Sequence, residues 1–400
     1  MQNEYALLIT LGALLIVNPM VRSFCTRIGV PALVGYIFLG FLVGLFNKRW
    51  SFATTAFNDA FYILAQLGVV ALLFRVGLKS HTSALLAKLP VASVLWVGDV
   101  GTNLLFGFVV ARYGLALSLE TALVVATAFS ATSVAVSVGA WEELGKLNTS
   151  NGQLLLDVAE LDDLSGVLLL AVLLAVLPTL QSDGELLPGV SATLLDMMFR
   201  LALFITACYL FAHFLEARFT HFSRTVGGSL TALTITILGA GLAISAIAGF
   251  LGFSLAIGAL FAGLAFSRDP EAVRTDGRFA YFYEFLTPFF FIHIGMQVDP
   301  DVVLPSLDTG LILALVAASG KLVGIAVPAL FMLDRSAALE MGVSMIPRAE
   351  IALVIVHQCR QLNEDYVSPE IYAGMVVVAL ATSVLSPLLL RHLLPRKRKA

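Results

Sequence analysis

The sequence predicts an all-α polytopic membrane protein of about thirteen transmembrane helices, built as an inverted repeat with two interrupted crossing helices. Three observations lead to this fold class. Apolar residues make up 59% of the 400 positions and charged residues only 13%, so a water-soluble fold could not bury the apolar side chains. The apolar residues form continuous runs long enough to cross a bilayer. Similar short segments also recur at a nearly constant separation in the two halves of the chain.

Charges and Gly/Pro/Asn/Asp clusters divide the apolar residues into thirteen predicted spans. A β-barrel is excluded because the runs are continuous rather than alternating. The first span is predicted to be a retained helix, because no basic segment precedes it and no small-residue cleavage site follows it. The spans are 5–22, 31–46, 60–78, 90–112, 118–140, 152–178, 190–217, 229–249, 251–267, 283–298, 308–333, 337–358 and 370–390.

The basic residues predict the orientation of these spans. With the N-terminus outside and the C-terminus in the cytoplasm, sixteen Lys and Arg residues fall in inner loops or the C-terminal tail. Four fall within spans, and the outer loops contain only Lys48, Arg49, Arg112 and Arg360. This bias follows the positive-inside rule, so we expect an N-out, C-in integral membrane protein, located in a bacterial inner membrane.

The remaining composition excludes several kinds of partner. The formal net charge of -3 gives no reason to expect nucleic acid binding. Cys25, Cys208 and Cys359 lie far apart without a CxxC pair, so we expect neither a disulfide nor a zinc site. No cofactor is predicted.

Two matched segments indicate an internal repeat. Leu73–Leu78 of span three resembles Phe291–Met296 of span ten at a separation of 218 residues, and Gly44-Leu45 resembles Gly263-Leu264 at 219 residues. Such a separation covers seven spans, an odd number, so the second half of the chain is predicted to be inverted relative to the first. Inverted repeats build many secondary transporters, whose sites lie near the membrane midplane where interrupted helices meet.

Span six contains four acidic residues, which cost about 2.5–3.5 kcal/mol each at the centre of a span and usually mark function. They are Asp157, Glu160, Asp162 and Asp163. Asp157 and Glu160 have an alternative location at the wet end of the span. Asp162 and Asp163 are predicted to lie inside, because the apolar segment that follows them is too short to cross alone. Clustered carboxylates can exchange a proton for a hard cation, and Lys321, central in span eleven, supplies a counter-charge.

Spans five and twelve are predicted to be interrupted. In span twelve, Pro347 lacks a backbone donor, and Arg348 and Glu350 could balance the dipoles of two half-helices. Hydroxyl groups in span five are suitable neutral ligands for a partly dehydrated cation, although small-residue helix packing is an alternative explanation for them. These hydroxyl residues are Thr127, Ser130, Thr132 and Ser133.

With these features the chain resembles the second monovalent cation:proton antiporter family, the Kef/NapA-type sodium or potassium/proton exchangers. The resemblance implies a homodimer in which six core helices move against a dimer scaffold. The matching segments are Gly35–Gly44, Leu67–Leu78, Ala126–Val138, Leu161–Gly166, Gly252–Ser267, Phe289–Asp299, Gly320–Gly324 and Pro347–Glu350.

The resemblance also divides the chain into predicted domains. Residues 1–88 and 226–300 would form the scaffold, and residues 181–225 the linking helix. Residues 89–180, with the ion site, and residues 301–400, with a basic cytoplasmic tail, would form the core. The nucleotide-binding domain of the potassium-efflux relatives is not expected, because the sequence stops at Ala400.

By the same resemblance, Asp163 matches the aspartate that carries the ion and the proton, aided by Thr132 as a ligand of the monovalent cation. Asp162 matches its neighbour and Lys321 the lysine paired with that neighbour, a combination similar to the electrogenic subgroup. Two departures put the stoichiometry in doubt. Asp157 and Glu160 stand where many relatives are apolar, and Ala349 replaces a glycine.

The predicted function is therefore exchange of Na⁺, or K⁺ as a possible substitute, for protons by alternating access. The chain would then be a transporter and not an enzyme. Two alternatives remain: an organic-anion/sodium symporter on a similar fold, and an intramembrane aspartyl protease using Asp162 and Asp163. His293 and His357 are interpreted as packed side chains, with a pH-sensing role as the alternative.

Overall fold

The computed structural model describes residues 2–28, 30–79, 82–133, 141, 146, 149–180, 186–227, 229–267 and 276–393. Every regular element in these ranges is helical, and they contain no strand. The all-α prediction is therefore confirmed for the part of the chain described.

The first half of the chain forms seven helices. They are α1 (Gln2–Ile28), α2 (Ala32–Trp50), α3 (Thr55–Lys79), α4 (Thr82–Val109), α5 (Leu119–Ser130), α6 (Ser150–Leu180) and α7 (Leu186–Leu210). A π-helical turn, Val110–Gly114, ends α4, and a second one, Phe211–Leu215, follows α7.

The second half forms eight helices and one short 3₁₀ segment, Glu364–Tyr366. The helices are α8 (Glu216–Gly227), α9 (Leu230–Phe250), α10 (Leu255–Phe266), α11 (Asp276–Met296), α12 (Pro300–Ala329), α13 (Arg335–Ser344), α14 (Glu350–Leu362) and α15 (Pro369–Leu393).

Nine helical stretches in the described residues are long and apolar enough to cross a membrane. Two shorter apolar helices are α5 and α10. The predicted count of thirteen spans is therefore not confirmed by length and composition alone. Span twelve is interrupted between α13 and α14, so neither of its two helices is long enough to cross a membrane alone.

The chain divides into two compact units. The first comprises Met1–Pro19, Tyr36–Ala84 and Leu174–Gly295. Within it, α3 packs against α10 with glycine at the contact on both helices. A Cβ atom on Gly77 would overlap the carbonyl oxygen of Leu260, and one on Gly263 would overlap the carbonyl oxygen of Phe74. Small residues allow the two backbones to touch.

The contact between α2 and α11 repeats this arrangement in the same unit. A Cβ atom on Gly295 would overlap the carbonyl oxygen of Ile37, and one on Gly40 would overlap that of Ile292. Gly77 on α3 and Gly295 on α11 make equivalent contacts and lie 218 residues apart, as the sequence predicts. Between α2 and α10, however, the structure makes Gly40 and not Gly44 the equivalent of Gly263, a difference of about one helical turn.

The second unit comprises Met20–Gly35, Leu85–Leu173 and Met296–Ala400. Here α12 packs against α15, and α5 packs against α14. A buried apolar cluster that includes Trp141, Val158 of α6, Ile325 of α12 and Met341 of α13 lies in the same unit. All of the polar contacts described next belong to this unit.

Candidate functional site

The first helix break follows α5. Ser118 caps the start of this helix, since its hydroxyl oxygen accepts from the Thr121 backbone N at 3.1 Å. The helix ends at Ser130, and Ala131 is extended. The carbonyl oxygen of Ser130 accepts from Lys321 Nζ at 2.7 Å, and that of Ala131 accepts from Arg348 Nη1 at 2.9 Å. Two cations therefore satisfy carbonyl groups at the negative end of the α5 dipole.

The second break lies between Ser344, where α13 ends, and Glu350, where α14 begins. It contacts the first break directly. The backbone N of Ser133 donates to the carbonyl oxygen of Pro347 at 2.7 Å, and the Ser133 hydroxyl donates to the Glu350 carboxylate. The Glu350 carboxylate also lies in the first turn of α14, where a negative charge is favoured by the helix dipole. The predicted interruption of span twelve is thus present.

Ala349, the residue that departs from the family pattern, has a φ of −141°. Glycine is needed where φ is positive, and a negative φ accommodates a Cβ atom. The alanine is therefore compatible with the break that the structure forms.

A buried ion cluster joins three helices beside the first break. Lys321 on α12 places its Nζ atom 2.5 Å from Asp99 Oδ2 on α4 and 3.1 Å from Asp162 Oδ2 on α6. All three side chains are fully buried. Together with the Ser130 carbonyl, the two carboxylates use all three donors of the ammonium group.

Hydrogen bonds extend this cluster to the second break. Asn103 Nδ2 donates to Asp99 Oδ1 at 2.8 Å, and Asn103 Oδ1 accepts from Arg348 Nη2 at 2.5 Å. Arg348 is fully buried, and its guanidinium group also lies over the Phe129 ring at 5.1 Å from the ring centroid. The end of α5, the break between α13 and α14, and helices α4, α6 and α12 are thus connected by one continuous polar network. The continuation of predicted span five beyond Ser133 lies outside the described residues.

Asp99 and Asn103 were not predicted from the sequence as site residues. The signal was present, because Asp99 is an acidic residue within the predicted span 90–112, and the same reasoning selected span six. Asp99 is a single carboxylate in its span, which is a weaker signal than the four in span six. Its partner Lys321 lies 222 residues away in the sequence.

Among the residues that the structure describes, two buried oxygen atoms near this network have no hydrogen-bond partner: Thr132 Oγ1 and Asp162 Oδ1. Thr132 follows the carbonyl groups that contact Lys321 and Arg348, and its side chain is buried. Buried polar atoms without partners are uncommon and need an explanation. Oxygen atoms of this kind are suitable ligands for a hard cation.

The other predicted site residues take several positions. Asp163, next to Asp162 on α6, is half-buried, as is Asp157, and each has an interaction partner. The Glu160 side chain lies outside the described part of the structure. The Ser130 hydroxyl is used within α5, since it donates to the Thr127 carbonyl oxygen at 2.7 Å. The structure therefore brings together Asp162, Lys321, Arg348, Ser133 and Glu350.

The described residues contain no group of three or more His, Cys, Asp or Glu side chains arranged to hold a metal ion. The two histidines considered as pH sensors are both buried. His293 packs against the Phe61 and Tyr62 rings, at 6.3 and 5.8 Å between ring centroids.

Comparison with known proteins identifies related sequences over nearly the whole chain. A sequence family described as "Sodium/hydrogen exchanger, transmembrane" matches residues 11–395. The chain is 28% identical to a Na⁺/H⁺ antiporter of Enterococcus hirae over 92% of each chain. It is 23% identical to the Na⁺/H⁺-K⁺ antiporter GerN of Bacillus cereus over 99% of this chain and 98% of the other.

Among solved structures, the chain is similar to the sodium proton antiporter MjNhaP1 from Methanocaldococcus jannaschii, solved at pH 8. The TM-score is 0.71 at 16% sequence identity, and the match covers 98% of this chain and 97% of the other. At this identity the similarity establishes a shared fold.

Proposed function

Because the chain belongs to the sodium/hydrogen exchanger family, we propose that a monovalent cation and protons bind in turn at the aspartates of α6 beside the break of α5. The protein is an integral membrane cation/proton exchanger. It is a secondary transporter and not an enzyme.

One observation supports the proposed location of exchange. The fully buried Asp162 lies against Lys321 at the end of α5, with one carboxylate oxygen that has no partner in the described part of the chain. A buried ion cluster is costly in a membrane unless each charge has a partner. A carboxylate that keeps one coordination position open in such a cluster is suited to binding a proton or a cation.

In the proposed cycle, Asp163 is the residue at which the two substrates compete. Asp163 is half-buried next to Asp162, and the unpartnered hydroxyl of Thr132 would be a neutral ligand of the cation. Sodium is favoured as the cation, since the Enterococcus hirae relative is named a Na⁺/H⁺ antiporter. Potassium is the second candidate, because GerN is named for both ions. No cofactor is proposed.

The proposed assembly follows from the family. Residues 89–180 and 301–400 would form the moving core of each subunit, and residues 1–88 and 226–300 the scaffold of a homodimer, linked by residues 181–225. We further propose a bacterial inner membrane location with the N-terminus outside and the C-terminus in the cytoplasm.

The two alternative functions are not favoured. The family match describes neither an organic-anion symporter nor a protease. In addition, Asp162 and Asp163 are adjacent on one helix, whereas a protease dyad shares one proton between two carboxylates that face each other.

The direct test is proton flux in proteoliposomes that contain the purified protein. A pH-sensitive dye inside the vesicles should report proton movement when Na⁺, K⁺ or Li⁺ is added, with the largest response to Na⁺. Proton flux that is the same with choline as with each of these cations would overturn the proposed function.

Asp163→Asn should abolish cation-dependent flux, because an amide neither binds a proton in this pH range nor balances a cation's charge. The matched control is Asp196→Asn, which changes an exposed aspartate paired with Arg200 on α7 and should leave flux unchanged. Wild-type flux in Asp163→Asn would remove Asp163 from this role.

A further inference from the structure

Gly166 lies where α6, the helix that carries the aspartates, passes the two breaks. It follows Asp162 by four positions and Asp163 by three, so the three residues share one face of α6. A Cβ atom at Gly166 would lie 3.4 Å from the Cβ atom of Ala131, in the first break. It would lie 3.2 Å from the Cγ2 atom of Ile351, which directly follows the second break. Gly166 is therefore the point at which the aspartate-bearing face of α6 meets both breaks.

Neither neighbour of Gly166 has a flexible side chain that could turn away from an added methyl group. Ala131 has only a Cβ atom, and its carbonyl oxygen accepts from Arg348 Nη1 at 2.9 Å. Ile351 is buried in the first turn of α14, and a β-branched side chain in a helix has one strongly preferred χ1 rotamer. Carbon atoms in contact normally lie about 3.5–4.0 Å apart. A methyl group at position 166 would therefore push the backbones apart by a few tenths of an ångström.

The two breaks are bonded to each other, so they would move away from α6 together. The Ser133 backbone N donates to the Pro347 carbonyl oxygen at 2.7 Å, and the Ser133 hydroxyl donates to the carboxylate at the start of α14. Thr132, the neutral ligand in the proposed exchange, lies between Ala131 and Ser133, which are both bonded to the second break. The distance from Thr132 to the aspartates of α6 therefore depends on how closely α6 approaches at Gly166.

We propose that Gly166 determines which monovalent cation is preferred, because its lack of a side chain lets α6 approach the first break closely enough to favour a small ion. This inference rests on the proposed function, in which the aspartates of α6 and Thr132 bind the cation. Ions of equal charge that use the same ligands are distinguished by the size and the flexibility of the site. A wider gap would lengthen the distances from the ligand oxygens to the cation, which disfavours Na⁺ more than the larger K⁺.

The test is the apparent KM for each cation in Gly166→Ala proteoliposomes, measured by proton flux at one fixed pH. The ratio of the KM for K⁺ to the KM for Na⁺ should fall about tenfold from the wild-type value, which is the low end of what one carbon atom changes in a packed site. If the wild type does not transport K⁺, the ratio of the KM for Na⁺ to the KM for Li⁺ replaces it and should fall likewise. Proton competition and the amount of active protein affect both cations equally, so they do not change the ratio. A variant that transports cations with an unchanged or higher ratio would overturn the proposal.

The matched control is Gly101→Ala on α4, in the same unit. A Cβ atom at Gly101 would meet no atom within 4 Å, so the KM ratio should equal that of the wild type. An equal fall of the ratio in Gly101→Ala would show that the contact at Gly166 is not its cause, and the proposal would be rejected.

Ala131→Gly tests the same contact from the opposite side if Gly166→Ala does not fold. It removes the Cβ atom that faces Gly166, and its extended backbone, with a φ of −74°, is accessible to glycine. The first break can then approach α6 more closely, so the ratio of the KM for K⁺ to the KM for Na⁺ should rise. An unchanged or lower ratio in Ala131→Gly would contradict the proposal.

These outcomes separate the two proposals. Absence of cation-dependent flux in the wild-type protein would reject the proposed function, and the role of Gly166 with it. Normal wild-type flux together with an unaltered KM ratio in Gly166→Ala would reject the role of Gly166 alone.

Discussion

At the scale of single residues, the site depends on side chains that compensate for backbone groups. The end of α5 leaves carbonyl groups without helical donors, and Lys321 and Arg348 donate to two of them. Each cation in turn needs a negative or polar partner, which Asp99, Asp162 and Asn103 supply. Most polar groups of this network therefore have partners, whereas Thr132 Oγ1 and Asp162 Oδ1 have none among the described residues.

Replacing Thr132 by Val should weaken cation binding with little change in stability. Valine has nearly the same shape as threonine, and the Thr132 hydroxyl makes no hydrogen bond with the described residues. If this hydroxyl is a ligand, its loss should raise the apparent KM for Na⁺ about tenfold, equivalent to about 1.4 kcal/mol. The measurement is proton flux as a function of Na⁺ concentration in proteoliposomes.

The control for this change is Thr236→Val. The Thr236 hydroxyl on α9 donates to the Ala232 carbonyl oxygen at 2.9 Å within its own helix, so the apparent KM for Na⁺ should not change. An unaltered KM in Thr132→Val would exclude its hydroxyl as a ligand.

Ser133→Ala should destabilise the contact between the two breaks. The Ser133 hydroxyl donates to the half-buried Glu350 carboxylate, and loss of a hydrogen bond to a charged group costs about 1–3 kcal/mol. We expect a lower thermal unfolding temperature in detergent, and substantial recovery in Ser133→Thr, which retains the hydroxyl. Ser319→Ala, at an exposed position on α12, is the control and should unfold like the wild type. Equal unfolding temperatures for Ser133→Ala and Ser319→Ala would mean that this hydrogen bond does not stabilise the protein.

At the scale of helices, the sequence located the elements better than it located their contacts. Predicted span five, 118–140, begins one residue before α5, at its capping residue Ser118. Predicted span twelve, 337–358, corresponds to α13 and α14, with the break at the expected proline. Such features are local, because caps, prolines and apolar length act over a few residues. The equivalence of Gly263 and Gly40 in the two halves of the chain is not local. It depends on how far each helix is shifted along the helix that it contacts.

Glycine at the contact of α3 and α10 gives a prediction at this scale. In Gly263→Val the side chain would collide with the carbonyl oxygen of Phe74, so the helices would have to separate. Overpacking of this kind costs about 1–3 kcal/mol or more. The thermal unfolding temperature in detergent should fall clearly below that of the wild type.

The matched control is Gly239→Val on α9. A Cβ atom at Gly239 would meet no atom within 4 Å, so the larger side chain should be tolerated. If Gly263→Val and Gly239→Val unfold at the same temperature, the close approach of α3 and α10 is not important for stability.

At the scale of the whole molecule, charge movement across the membrane is the property to measure. The pair of adjacent aspartates with a lysine resembles the electrogenic subgroup, in which more protons than cations move in each cycle. One net charge moving through 100 mV corresponds to about 2.3 kcal/mol.

We therefore expect an imposed membrane potential to change the rate of exchange. Proteoliposomes with a K⁺ gradient and valinomycin provide the potential, and Na⁺-dependent proton flux is the readout. A potential that is negative on the side to which the protons move should accelerate exchange, because the protons carry the net positive charge. The opposite potential should slow it. A rate that does not respond to either potential would show electroneutral exchange.

The sequence by itself determined that this protein is a helical membrane protein, and that span six and Lys321 carry buried charges. These conclusions depend on composition, apolar length and the cost of a charge in lipid, all of which act on each segment separately. Only the tertiary structure decided that Asp99 and Asn103 belong to the same network and that Arg348 donates to the first break. These contacts join residues up to 245 positions apart, and the distance between two side chains depends on how the helices pack, which no single segment specifies.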